Sequence, residues 1–115
     1  MTNPVAWFEI EGKDGTALQN FYSGLFGWNV DADNPMNYGM VEAAQSGIGG
    51  GIGSSQDGSS RLTFYVQVAD LQASLDRAVE LGGAVIMPPM DVPDGPTIAM
   101  FSDIAGNQVG LMTRM

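Results

Sequence analysis

Trp7–Phe26 reads WFEIEGKDGTALQNFYSGLF, and Thr63–Gly82 reads TFYVQVADLQASLDRAVELG. Shifted by 56 positions, Phe8 falls on Phe64, Ile10 on Val66, Asp14 on Asp70, Ala17 on Ala73, Leu25 on Leu81 and Gly27 on Gly83. The second stretch is a degraded copy of the first. Because the shift is close to half of the 115 residues, one supersecondary unit used twice accounts for the chain. Module one is assigned to residues 1–56 and module two to 57–115, together one domain over 1–115.

Within the first copy, Trp7, Glu9 and Glu11 alternate with Phe8 and Ile10, the period of a strand. Asp14 stands at an N-cap position before Ala17, Leu18, Phe21, Tyr22, Leu25 and Phe26, which recur as one helical stripe, and Gly27 ends it. Further strands are expected at Trp28–Asp31 and Tyr38–Glu42, with a turn around Pro35 between them. Gly47–Gly53 reads as a loop, or as a strand whose bare glycine face is approached closely by something else. Ser54–Ser60 has linker composition. The second copy repeats the pattern: a strand over Leu62–Val68, Asp70 as N-cap, a helix closed by Gly82 and Gly83, then strands at Ala84–Met87, Thr97–Ser102 and Gln108–Met112. Pro88–Pro96 is expected to be a loop and Asp103–Asn107 a turn. The element order is βαβββ twice, an α+β chain.

Composition narrows the chemistry. There is no cysteine and no histidine, which removes thiolates, the usual proton shuttle and the commonest metal ligand. A net charge of −9 repels phosphate backbones and anionic lipid, so neither nucleic acid nor membrane is an expected partner. No apolar run approaches a membrane span, and the N-terminal residues lack a secretion signal, so a cytoplasmic protein is expected. The glycine run fails the G-x-G-x-x-G fingerprint, since the sixth residue from Gly47 is Ile52 and from Gly49 is Ser54. Asp31-Ala32-Asp33 lacks the later Gly and Glu of a calcium loop.

FEI at Phe8–Ile10, NFYSGLFGW at Asn20–Trp28, GIGGGI at Gly47–Ile52, YVQVADLQASLDRAVELGGAV at Tyr65–Val85, MPP at Met87–Pro89 and FSDIAGNQVGL at Phe101–Leu111 resemble the vicinal oxygen chelate superfamily. That superfamily includes glyoxalase I, bleomycin-resistance proteins, fosfomycin-resistance enzymes and extradiol dioxygenases. The resemblance implies that each module curls its strands into half of a cup, with helices outside, and that the protein forms a homodimer. It further implies that metal-dependent members draw ligands from the first and last strand of each module. Those positions fall on Trp7, Thr63, Gly51 and Gly110, none of which offers a metal-binding side chain, so no metal and no other cofactor is expected.

By alternation, Trp7, Glu9 and Glu11 share the inward face, as do Thr63, Tyr65 and Gln67. Gly49, Gly51 and Gly53, with Gln108, Gly110 and Met112, are expected to leave the floor wide. The expected ligand-binding set is thus Trp7, Glu9, Gly51, Thr63, Tyr65, Gln67, Gly110 and Met112, suited to a small, partly aromatic molecule held by sequestration. Two other readings stand beside it. One is a metal-independent isomerase or proton-transfer enzyme with Glu9 as catalytic residue; the other is a structural or interaction module whose cup is plugged by its own side chains.

Overall fold

A computed structural model describes residues 3–113; the module limits set at residues 1 and 115 lie outside them. In chain order the elements are β1 (Val5–Gly12), α1 (Gly15–Phe26), β2 (Gly39–Val41), α2 (Ala43–Ser46), β3 (Gly49–Ser54), β4 (Arg61–Gln67), α3 (Leu71–Glu80), β5 (Ala84–Asp91), β6 (Thr97–Ser102) and β7 (Gln108–Met112). The fold is α+β with mixed strand pairing. The chain divides into two compact units, Trp7–Thr63 and Phe64 onward with the short stretch before Trp7, so the division runs through β4.

The first unit orders its strands β2-β3-β1. β1 and β3 run parallel with Trp7 opposite Gly49, Phe8 opposite Gly50 and Glu9 opposite Gly51. β2 pairs antiparallel with β3. The Gly47–Gly53 run is therefore a strand from Gly49 onward, entered through the short α2 and Gly47 at positive φ. The strand expected at Trp28–Asp31 shrinks to one bridge, Asp31 with Met40. Trp28 is instead drawn into a cluster of rings with Phe8, Tyr22 and Phe26, and its carbonyl accepts from the Ser23 hydroxyl.

α1 begins where Asp14 caps it: Oδ1 accepts from the Ala17 N–H at 3.1 Å. It ends at Gly27, which takes the left-handed conformation at φ 73° and returns its N–H to the Ser23 carbonyl. The face that α1 buries is not the expected stripe. Gly15 and Gln19 are buried, while Ala17, Phe21, Leu25 and Phe26 are exposed. The reason lies opposite, where a Cβ on Gly15 would meet the Ser54 backbone at 2.6 Å; only a side-chain-free residue lets the helix approach β3 so closely.

The second unit orders its strands β4-β7-β6-β5, with β4 parallel to β7 and the remaining pairs antiparallel. Its core is Leu71, Leu75, Ala99 and Leu111, with Val66, Val68 and Phe101 packed against them. Val66 thus faces the helix as alternation requires, but its neighbour Phe64 is exposed. Asp70 caps α3 through the Ala73 N–H at 3.0 Å, the counterpart of Asp14. β5 is longer than expected and carries Pro88 and Pro89 inside it. It is the outermost strand of this unit's order, and register breaks on either side of Met87 accommodate the missing donors.

Candidate functional site

The sequence-derived site residues fall into two groups, one in each unit. Trp7, Glu9, Gly51 and Thr63 belong to the first. The second unit holds Tyr65, Gln67, Gly110 and Met112, brought together by the β4–β7 register, in which Tyr65 lies opposite Gly110 and Gln67 opposite Met112. Thr63, Tyr65 and Met112 are buried and Gln67 is half-buried.

The centre of the first group is a residue that alternation could not nominate. The Trp7 indole Nε1–H donates to the Tyr38 hydroxyl at 3.1 Å, and that hydroxyl donates to Glu9 Oε2 at 2.8 Å. The order of donors is forced at one end, because an indole N–H can only donate. The phenol oxygen therefore accepts from Trp7 and passes its own proton toward the carboxylate.

Tyr38 reaches this position because the segment before it is tied down. The Asn34 side chain brackets it, accepting from the Tyr38 N–H at 2.9 Å and donating to the Tyr38 carbonyl at 2.7 Å. Asn37 sits at φ +51°, a left-handed conformation that asparagine tolerates, and its amide donates to the Thr16 hydroxyl. Buried Gln19 donates to both the Asn37 and the Ile52 carbonyls, at 3.0 and 2.8 Å, which joins the segment to β3. A polar residue on the buried face of α1 thus has a physical reason to be there, since one side-chain amide satisfies two backbone carbonyls.

The glycines of β3 make room for rings. A Cβ on Gly51 would lie 1.9 Å from the Tyr38 phenol, one on Gly50 would lie 2.1 Å from the Phe8 ring, and one on Gly49 would lie 3.0 Å from Trp7. The floor expected to be wide at Gly51 is therefore covered by Tyr38. The second unit does the same with a different residue. A Cβ on Gly110 would meet the Tyr65 ring at 2.3 Å.

These contacts also answer whether the superfamily's divalent metal would fit. At Trp7 the side chain is an indole, and at Gly51 and Gly110 the space for a ligating side chain is taken by phenol rings. Among the described residues no three His, Cys, Asp or Glu side chains gather into a metal-binding group. The four positions do not supply the donors such an ion needs.

An open groove of about 550 Å³ is lined by Ile10, Leu18, Phe21, Tyr22, Arg61 and Leu62 among others, and by none of Trp7, Glu9 and Tyr38. Arg61 is tied to the Glu11 carboxylate. That hydrogen bond raises the guanidinium above its ordinary pKa against the effect of burial, and the charges of Glu11 and Glu9 add to the rise. No helix among the described residues is long and apolar enough to cross a membrane.

Comparison with known proteins places this geometry. A family described as a glyoxalase-like domain matches residues 7–112. CFP32 of Mycobacterium tuberculosis, which carries a glyoxylase name, is 30% identical over 91% of this chain and 43% of its own length. The anthracycline biosynthesis protein DnrV of Streptomyces peucetius is 32% identical over 88% of this chain and 43% of its own. The chain thus spans less than half the length of these curated relatives. Among solved structures, BH1468 from Bacillus halodurans superposes with a TM-score of 0.73 at 12% identity, covering 100% of this chain and 96% of that one. With the family matched over nearly the whole chain and the fold shared, the protein belongs to the glyoxalase-like family of the vicinal oxygen chelate superfamily.

Proposed function

We propose that the protein binds a small, flat aromatic molecule against Trp7, Tyr38 and Glu9, without a metal centre, and acts by holding it rather than transforming it. The observation that carries this reading is the Trp7–Tyr38–Glu9 hydrogen-bonded array over Gly51. It combines two aromatic surfaces with one fixed polar group, the composition of a site for a flat amphipathic ligand. The likeness to a protein named for anthracycline biosynthesis supports the same ligand class, since anthracyclines are polycyclic aromatic compounds. We place this activity in the cytoplasm.

The test is a titration with an anthraquinone, followed through the Trp7 indole N–H resonance, which Trp7→Phe identifies. Saturable shifts at submillimolar concentration are expected. An indole resonance that stays still to the solubility limit overturns the reading and favours the interaction module whose cup is plugged by its own side chains.

The enzyme reading makes Glu9 a general base. It differs from the binding reading in its outcome, since Glu9→Gln would then abolish turnover while keeping binding.

We also propose that the protein pairs with a second copy of itself through α1. Phe21, Leu25 and Phe26 are all more than half exposed along that helix, an apolar stripe that an isolated chain leaves in water. The relatives that match are more than twice as long, which leaves them room for a further domain of this size. Light scattering of wild type and of Phe21→Ser/Leu25→Ser checks it: a dimeric mass that falls to the monomer supports the pairing, and a monomeric wild type removes it.

A further inference from the structure

Position 9 in module one and position 65 in module two are equivalent by the 56-residue shift, and each lies opposite a glycine of the neighbouring parallel strand, Gly51 and Gly110. In module two one residue does both jobs: Tyr65 occupies the strand position and its own ring covers Gly110. In module one the jobs are divided. The ring over Gly51 comes from Tyr38, and the strand position carries a carboxylate. Packing over the glycine therefore does not require Glu9, so the presence of an acid there calls for a chemical reason.

Resting on the binding site proposed above, we infer that its ligand is an aromatic molecule bearing a protonated amine, with Glu9 as the recognising group and Tyr38 as the residue that orients it. The hydrogen bonds run one way. Trp7 donates to Tyr38 and Tyr38 donates to Glu9, so the array ends on an acceptor. An ionised carboxylate accepts hydrogen bonds and cannot donate them. A ligand group that meets such an array has to donate.

Charge selects among donors. The unit Trp7–Thr63 holds seven acidic and two basic side chains, and one of the two cations, Arg61, is engaged by Glu11. An incoming carboxylate would meet Glu9 with one guanidinium in the unit, Arg61, whose charge already serves Glu11 first and Glu9 after it. An ammonium gains from Glu9 directly, and gains again from lying near the faces of Trp7 and Tyr38. With only Lys13 and Arg61 opposing the acids, this half of the protein favours cations before contact is made.

Two probes with one ring system and opposite charge test this on the intact protein: 2-naphthylmethylammonium and 2-naphthoate, titrated at low salt with the Trp7 indole resonance as readout. The amine is expected to bind at least tenfold more tightly, with the difference shrinking as salt is added. Glu9→Gln is expected to bring the two within about threefold, and Tyr38→Phe, which keeps the ring, is expected to move the Trp7 resonance in the free protein and reduce the preference. Equal binding of both probes, or tighter binding of the naphthoate, overturns this inference while leaving the aromatic binding site standing. Binding of neither probe overturns both.

Discussion

The phenol of Tyr38 stands where the side chain of residue 51 would have to go, 1.9 Å from the Cβ that Gly51 lacks. Gly51→Ala therefore forces the ring to swing away and surrender its hydrogen bonds to Trp7 and Glu9. A loss of about 1–3 kcal/mol is expected in urea unfolding. If the ring is the cause, Tyr38→Ala/Gly51→Ala is less destabilised than the two single changes summed.

Gly110 is expected to tolerate alanine less well. Its missing Cβ would meet Tyr65 at Cδ2 and Cγ, the root of the ring, whereas Gly51 meets the far end of Tyr38. A ring hit near its root cannot turn out of the way, and Tyr65 is buried. Parallel unfolding curves of Gly51→Ala and Gly110→Ala check the order, with the second having the lower midpoint.

Replacing Gln19 by leucine leaves the buried Ile52 carbonyl and the part-buried Asn37 carbonyl without this donor. A cost of about 1–3 kcal/mol is expected. Because Asn37 precedes Tyr38, Gln19→Leu should also shift the Trp7 indole N–H resonance. Leu75→Val in the core of the second unit should destabilise the protein without that shift.

Asp14 and Asp70 cap the two long helices through equivalent bonds, to Ala17 N and Ala73 N. Each change to alanine is expected to cost about 1 kcal/mol. Being far apart in sequence and without shared partners, the two losses should add in thermal or urea unfolding.

The Asp103 carboxyl titrates below its ordinary value, first because the Asn107 side chain donates to it and then because the Asn107 and Ala105 N–H groups do. A carboxyl depressed in the folded state adds stability above the unfolded pKa of about 3.9, and that stability is lost as pH falls through the folded value. Asp103→Asn should therefore lower the melting temperature at neutral pH and flatten its decline in acid. Contact of the group with solvent keeps the effect small, and melts at pH 7 and pH 3 would measure it.

Much of this fold is written in local chemistry. Both N-caps, the left-handed Gly27, and strands β6 and β7 follow from residues that act within a turn or alternate along a few positions. Signals that depend on distant partners were not readable in the same way. Pro88 and Pro89 read as a loop because proline cannot serve a central strand, but β5 lies at the edge of its unit's order and needs fewer donors. The stripe of α1 promised burial, but Gly15 rather than any apolar residue decided which face meets β3. Strand parity put Trp7 and Glu9 on one face, and both bond to Tyr38. Tyr38 itself was not legible in this way, because its part in the array depends on a segment fastened by Asn34, Asn37 and Gln19, none of which carries a periodic signal. One clue was present: a glycine-rich strand asks what lies against it, and only long-range packing gives the answer.

The division of labour between Tyr38 and Glu9 has a bearing on how such proteins diversify. In the second unit, changing Tyr65 alters the strand position and strips the cover from Gly110 in one step, so that residue is bound to a single identity. In the first unit the wall is supplied from elsewhere, and position 9 can exchange a carboxylate for an amide or a hydroxyl while the ring over Gly51 stays in place. If the proposed binding role holds, the first of these two halves built to one plan is the one in which selectivity can drift between descendants while the ring stays in place.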